Sequence, residues 1–345
     1  MFTFVLFRFI SYSNMDLISY MDRLPVAGET ILGSAFQQGY GGKGANQAVA
    51  SAKLGSLCTM VSAVGQDGFG TEFIQAFQKL SINTEKIKIC DKGISTGVAP
   101  IWVDSHGENC IVVIPGANLY VDETMAIQAI NESSSHTTCL LTQLEIPLES
   151  TLAAMETARK RNITTIFSPA PAPSKPLPLA FFSNASIIIP NVIELGMLVE
   201  IDTKDKSMDK IKQAASIILE RGCGAIVATL GSQGCVVMVQ GDSDPVVISA
   251  AKPPNAVIDT TGAGDAFAGS LAYFYSCLIK QDNNNVNNNS NTNTHNINKA
   301  KLLDAVRRAS YYAADSVTKK GTQSSYAMKH DLPSELFNFT KEWNN

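Results

Sequence analysis

At 345 residues with a formal net charge of −4, the chain has material for one large α/β domain or two modest ones. Hydrophobic residues make up 45 % and charged residues 17 %, the balance of a water-soluble globular protein, and no basic stripe recommends nucleic acid as a partner. No run approaches the ~18 uncharged apolar residues of a membrane helix, which argues against a membrane partner.

In chain order, residues 2–10 (FTFVLFRFI) are apolar, but the run is short, broken by Arg8 and not preceded by a basic region. They predict a first buried strand rather than a signal peptide. Strand-like runs follow at 18–21, 30–38, 97–103 and 109–114, separated by Gly-rich turns. From residue 139 the pattern becomes regular: strand 139–142, helix 148–161, strand 164–167, strand 186–189, helix 209–221, strand 225–229. Buried strands alternating with amphipathic helices predict an α/β fold with a mostly parallel central sheet flanked by helices. The early strands do not fit that alternation and are assigned to a small extra sheet, roughly 16–40 and 96–115, within a single domain spanning 1–345. The Asn-rich tract 281–298 (QDNNNVNNNSNTNTHNIN) has almost nothing to bury and is expected to be a disordered insertion between two helices, with helix resuming over 299–318. The seven cysteines are scattered without CxxC spacing, mostly in apolar runs, which suits buried reduced thiols and a cytosolic protein.

The strongest chemical signal is DTTGAGDAFAGSLAYF, 259–274. An apolar stretch, 256–258, is expected to run as a strand into the small-residue turn Gly262, Ala263, Gly264, and a helix follows with Phe267, Leu271 and Phe274 at helical spacing. Such a turn converges backbone N–H groups at a helix N-terminus, a site suited to an anion. Asp265 in the first turn is kept ionised by the helix dipole and is placed to accept a proton from an alcohol attacking a phosphoryl group. An isolated Gly-Asp would suggest a cap alone; the full GAGD turn favours catalysis.

The second signal is GGKGANQAVASAKLG, 41–55. Gly41 and Gly42 permit close backbone approach, and a helix is expected to start near Ala45. Lys43 and Asn46 at its start offer a cation and an amide to polyol hydroxyls. Gly39, Gly41 and Gly44 also satisfy GxGxxG, but the preceding SAFQQ is a poor buried strand, so a dinucleotide site is not expected. A Walker A loop fails because Gly44 follows Lys43 and Gln37 occupies the first Gly position. PNVIE (190–194) and TLGSQG (229–234) leave strands at the carboxyl edge of the sheet, where ligands of open α/β folds collect. Taken alone, Asn191 is more often a helix cap than a ligand, and 229–234 reads equally as a hairpin turn into CVVMV.

GGKGANQA, QLEIPLES, PNVIE, TLGSQG and DTTGAGD, in this order, resemble the PfkB carbohydrate-kinase family over about residues 13–325. The GGKGAN form is similar to members acting on ribose rather than to fructokinase-like or adenosine-kinase-like ones. The resemblance implies ATP-dependent phosphorylation of the D-ribose 5-hydroxyl, with a β-sheet lid that closes over the sugar and mediates a homodimer. A related sugar such as 2-deoxyribose, or a non-catalytic sugar-binding role, are the alternatives; the intact GAGD turn argues against the latter. By resemblance, Asn14, Met15, Asp16, Gly42, Lys43, Gly44, Ala45, Asn46 and Glu145 surround the sugar, and Asp265 deprotonates it beside the anion hole of Gly262, Ala263 and Gly264. ATP falls to Asn191, Thr229, Leu230, Gly231, Ser232, Gln233, Gly234, Gly264, Asp265 and Ser310, with Glu194 organising Mg²⁺. An activating K⁺ falls to Asp259, Thr261, Ser316, Lys319, Gly321 and Ser325, mostly through backbone oxygens. The chain departs from the family pattern at Ser11 and Tyr12, where Gly-Ser is usual, and at Ser310, where Asn or His contacts adenine.

Overall fold

The computed structural model describes residues 5–132, 137–285 and 296–343. The chain runs β1 (Leu6–Ile10), β2 (Asn14–Tyr20), β3 (Ala35–Gly41), α1 (Lys43–Lys53), β4 (Leu57–Gly65), α2 (Gly68–Lys79) and β5 (Asn83–Cys90). It continues through β6 (Gly97–Val103), β7 (Asn109–Ile111), α3 (Glu123–Asn131), β8 (Thr137–Thr142), α4 (Leu148–Lys160), β9 (Thr164–Phe167), α5 (Leu179–Ser183) and β10 (Ile187–Ile188). The last third holds α6 (Val192–Val199), α7 (Met208–Glu220), β11 (Ala225–Thr229), β12 (Cys235–Val239), β13 (Val246–Ile248), α8 (Ala263–Asn285) and α9 (Lys299–Ser316).

A 9-stranded sheet has the order β13-β12-β11-β10-β9-β8-β1-β4-β5, parallel from β11 to β5 and antiparallel at β11–β12–β13. Strand alternation decides which helices each face receives. Phe7 and Phe9 of β1 face the core beneath α1, α2, α8 and α9, whereas Ile10 joins the opposite core with α3 and α4. Alternate residues of β9 to β12 pack on α6 and α7. A 4-stranded sheet, β3-β2-β6-β7, stands beside the main one, as the early strand-like runs predict. Its Phe36, Trp102 and Ile111 are exposed, as is Val112 just past β7.

The register of the small sheet corrects two boundaries. Residues 30–34 are not strand, and β3 runs on to Gly41, pairing there with Asn14. Sequence patterning leaves 57–90 unassigned, yet β4, α2 and β5 lie there and complete the edge of the main sheet. The expected strand at 256–258 is absent: Val257 and Ile258 are each 57 % exposed, and the Ile258 N–H instead bonds the Val317 carbonyl. Part of the Asn-rich tract is helical, since α8 continues to Asn285; its centre, 286–295, and residues 2–4 of the expected first strand lie outside the described residues. All seven cysteines are free and six are buried. Among the described residues no helix is long and apolar enough to cross a membrane.

Candidate active site

The carboxyl ends of β1, β8, β10 and β11 meet the N-termini of α1, α6 and α8, and the polar residues singled out by sequence collect along that edge. Strand β1 ends where the Ser11 N–H bonds Val61, and the chain turns from one sheet into the other at Ser13. Asn118, fully buried, clamps this junction: it accepts from the Ser13 N–H at 2.9 Å and donates to the Ser13 carbonyl at 3.0 Å. Asn14 and Asp16 follow on β2, joined by an Asn14 Nδ2 to Asp16 Oδ1 bond of 3.3 Å. Asp16 lies against Gly41, where an added Cβ would come within 2.3 Å of its carboxylate. Gly42 has φ +93°, and a Cβ there would meet the Tyr12 carbonyl at 2.6 Å. Both glycines are therefore demanded by close approach and backbone conformation.

Helix α1 begins at Lys43, two residues earlier than patterning predicts. The Lys43 N–H donates to Glu145 Oε2 at 2.7 Å, tying the helix start to the loop after β8. Asn46 donates to Asp265 Oδ2 at 3.0 Å, so the two strongest motifs, far apart in sequence, share one hydrogen bond. Four residues of the expected sugar shell contribute no polar side-chain group: Met15 and Ala45 point into the core, Gly44 makes room for Ser11 and Gln143, and Gly42 lies against the Tyr12 carbonyl.

At the start of α8, Gly262 has φ +76° and packs its missing Cβ against Thr322 and the Tyr326 hydroxyl, which donates to the Gly262 carbonyl at 2.9 Å. The Ala263 N–H bonds the Thr260 carbonyl at 3.2 Å, whereas the N–H groups of Gly264 and Asp265 have no backbone partner among the described residues. A Cβ on Gly264 would meet open space, consistent with a ligand-facing surface.

Asn191 caps α6: its Oδ1 accepts from the N–H groups of Ile193 and Glu194, and Glu194 Oε2 accepts from the Asn191 N–H at 2.8 Å. This capping box engages the Asn191 oxygen and leaves its Nδ2 as the group able to reach a ligand. A parallel bridge between Asn191 and Thr229 sets PNVIE beside TLGSQG. The latter is indeed a hairpin turn between β11 and β12, with Leu230 buried and Ser232 and Gln233 exposed. Gly231 has φ +65°, and Gly234 abuts the backbone of 248–250. That backbone belongs to a cavity of about 450 Å³ lined by Val246–Lys252, Arg307 and Ser310, which brings Ser310 near this turn.

Asp259 holds two of the other expected cation residues, Thr261 and Gly321. It accepts from the Thr261 N–H at 2.9 Å and from the Gly321 N–H at 2.9 Å, and its own N–H bonds Val317. The Ser316 carbonyl accepts from Lys319, and Ser325 Oγ donates to Thr322. The Lys319 ammonium pairs with Asp315 at 3.0 Å.

Burial sets the electrostatics. Desolvation pushes Glu145 up to about 8, opposed by Lys43 and reinforced by Asp265, and pushes Asp16 up to about 6, opposed by its bond from Asn14. Burial also raises Asp265, against Lys43, Asn46 and Gln47, so the dipole alone does not hold it at the ordinary carboxylate value. Burial depresses Lys43, but Asp265, Glu145 and Glu194 more than restore it, keeping it cationic. The sign for Glu145 follows from linkage. Its folded value lies above the unfolded 4.5, so the folded state keeps a proton that the unfolded chain has released, and stability falls as pH rises from about 4.5 to about 8. Glu145→Gln is expected to remove on the order of 1–3 kcal/mol of that loss, allowing for screening of a half-buried group. Urea midpoints at pH 5 and pH 8 check it; equal pH dependence in both proteins would refute it.

Sequence reasoning passes over Gln47, whose Nε2 donates to Asp265 Oδ1 at 3.0 Å. The available signal was a polar Gln inside an Ala-rich helix face. It also passes over Asn118, Gln323 and Tyr326, whose partners Ser13, Asn46 and Gly262 are distant in sequence.

A profile of the pfkB family carbohydrate kinases matches residues 8–329. The chain is 38 % identical to a ribokinase of Mus musculus over 324 residues, covering 93 % of this chain and 92 % of the mouse protein. It is 36 % identical to a deoxyribokinase of Salmonella typhi over 320 residues, covering 91 % and 93 %. The fold superposes on the structure of ribokinase from Giardia lamblia with a TM-score of 0.83 at 27 % identity, covering 95 % of this chain and 98 % of that one. With its mostly parallel sheet, its small second sheet and its GAGD helix start, the chain belongs to the PfkB family of carbohydrate kinases.

Proposed function

We propose that this kinase transfers the terminal phosphoryl group of ATP to the 5-hydroxyl of D-ribose, giving D-ribose 5-phosphate and ADP. The observation that carries the proposal is the position of Asp265. Its carboxylate is gripped by Asn46 and Gln47 from the GGKGANQ helix while it sits in the first turn of α8 beside the Gly264 N–H. A sugar held by Asn14, Asp16, Asn46, Lys43 and Glu145 would present its primary hydroxyl to Asp265, which accepts the proton as the oxygen attacks phosphorus. The N–H groups of Gly264 and Asp265, with Gly262 setting the turn, would receive the charge on the migrating group, and catalysis is mainly positioning and electrostatics.

The nucleotide base would lie between the 229–234 turn and Ser310, with Asn191 reaching the phosphates. Glu194 would orient Mg²⁺, which neutralises phosphate charge. Asp259, Thr261, Ser316, Gly321 and Ser325 offer oxygens suited to a hard monovalent cation such as K⁺ that orders the 262–264 turn. The small sheet would close as a lid and exclude water. Its exposed Phe36, Trp102, Ile111 and Val112 suit a homodimer contact. The buried free thiols suit a reducing cytosol.

Likeness to a deoxyribokinase nearly equal to that to a ribokinase favours one second reading, 2-deoxyribose as the acceptor. The two sugars differ by one hydroxyl, and an unpaired buried partner costs about 1–3 kcal/mol, or roughly tenfold to a hundredfold in kcat/KM. Coupled ADP release with ribose, 2-deoxyribose, fructose and adenosine decides. Ribose is expected to give the highest kcat/KM; a higher value for deoxyribose selects the second reading, and faster turnover of fructose or adenosine rejects both.

A further inference from the structure

Four amides form a chain through the carboxylate of Asp265. Gln143 Nε2 donates to Gln47 Oε1 at 2.6 Å, and Gln47 Nε2 donates to Asp265 Oδ1 at 3.0 Å. On the other side Gln323 Nε2 donates to Asn46 Oδ1 at 3.0 Å, and Asn46 Nδ2 donates to Asp265 Oδ2 at 3.0 Å. The carbonyls of Gln47 and Asn46 are each occupied by the outer amide's N–H, so the NH₂ groups of these two residues face the carboxylate, while Gln143 Oε1 has no hydrogen-bond partner among the described residues. An amide flipped end for end would set two oxygens, or two NH₂ groups, against each other. Gln47 and Gln143 are each 1 % exposed and Asn46 6 %. The backbone enforces the approach: a Cβ at Gly269 of α8 would lie 2.3 Å from the Gln47 carbonyl, and Ser51 Oγ donates to the Gly269 carbonyl at 2.7 Å. Helices α1 and α8 are thus locked with Gln47 opposite Asp265.

We propose that Gln47, oriented by Gln143, is a positioning residue that fixes the carboxylate of Asp265 in its proton-accepting form and rotamer without itself touching the sugar. This rests on Asp265 being the base. Two donated hydrogen bonds favour the ionised carboxylate, while burial favours the protonated one. Asp265 also faces the Lys43 ammonium of α1, the Glu145 carboxyl after β8, the Glu194 carboxyl of α6 and the Tyr326 hydroxyl beyond α9. Lys43 alone among these favours ionisation, so losing the Gln47 donor leaves a surplus of groups opposing it.

The test is the pH profile of kcat/KM for D-ribose at saturating ATP, in wild type, Gln47→Met, Gln47→Glu and Asp265→Asn. The acidic limb is expected to move up by about one to two pH units in Gln47→Met, the equivalent of one hydrogen bond to a charged group. Gln47→Glu, which keeps the acceptor for Gln143 but opposes Asp265 with a second carboxyl, should move it at least as far and provides the reading if the Met variant does not fold. KM for ribose at the new optimum should stay within about twofold, because Gln47 lies behind the base. If Asp265→Asn is inactive and the limbs of the Gln47 variants coincide with wild type, Gln47 merely packs and this proposal alone is overturned. If Asp265→Asn retains wild-type turnover, the base assignment falls, and this proposal with it.

Discussion

Asp265→Asn is expected to lower kcat with D-ribose by about 10²–10⁴-fold, the range contributed by a positioned general base, while ATP still binds. Asparagine keeps the shape but cannot take up the proton released as the sugar oxygen attacks. Its NH₂ would also oppose one of the NH₂ groups of Asn46 and Gln47, which now converge on two acceptor oxygens. Stability separates chemistry from folding damage. Burial holds the Asp265 carboxyl above its ordinary value, so the folded protein disfavours the charge and a neutral isostere loses nothing on that account. Relief of that desolvation offsets the opposed NH₂ pair, so thermal melting of the variant should stay close to wild type, and nucleotide titration should give a Kd within about threefold. A variant with wild-type kcat would show that the proton leaves by another route.

The largest expected effect on stability lies away from the site. Arg308 of α9 is fully buried, and its Nε bonds Asp304 Oδ2 at 3.0 Å. Its other nitrogens donate to the carbonyls of Leu336, Asn338 at 3.1 Å and Lys341 at 2.8 Å. Its guanidinium also stacks over Phe339, and Asp304 Oδ1 accepts the Trp343 N–H at 2.7 Å. One buried ion pair thus holds the C-terminal strap onto the helix that carries Ser310 and Ser316. Arg308→Ala would strand a buried carboxylate and three carbonyls, with an expected loss of about 3–5 kcal/mol in urea unfolding. Arg308→Met with Asp304→Leu, which removes both charges and keeps apolar bulk, should recover only the part due to the stranded carboxylate, since the three carbonyls and the Trp343 N–H stay unpaired. If the double variant is as unstable as the single one, the strap depends on the cation itself rather than on satisfying its partner.

The regular half of the fold was legible because strand and helix periods there are unmixed: 164–167 and 225–229 match β9 and β11 residue for residue. The segment 57–90 was not. In β4 nearly every residue is buried on both faces, and in β5 half the residues are exposed at the sheet edge, so neither shows a clean alternation. The stretch 256–258 misled in the opposite sense: apolar side chains reached the surface because their backbone pairs with the turn after α9 instead of a strand.

The amino-acid sequence on its own determined the local chemistry. Glycines at 42 and 262, a carboxylate at the start of a helix and a capping box at 191–194 act within a few residues, where chain connectivity supplies the geometry. Only the tertiary structure decided what surrounds that carboxylate. Asn46 and Gln47 lie 219 and 218 residues from Asp265, and Gln323 lies 277 from Asn46. A hydrogen bond between amide and carboxylate leaves no periodicity in a chain; it exists only once parallel strands and two close-packed helices bring the residues within 3 Å of each other.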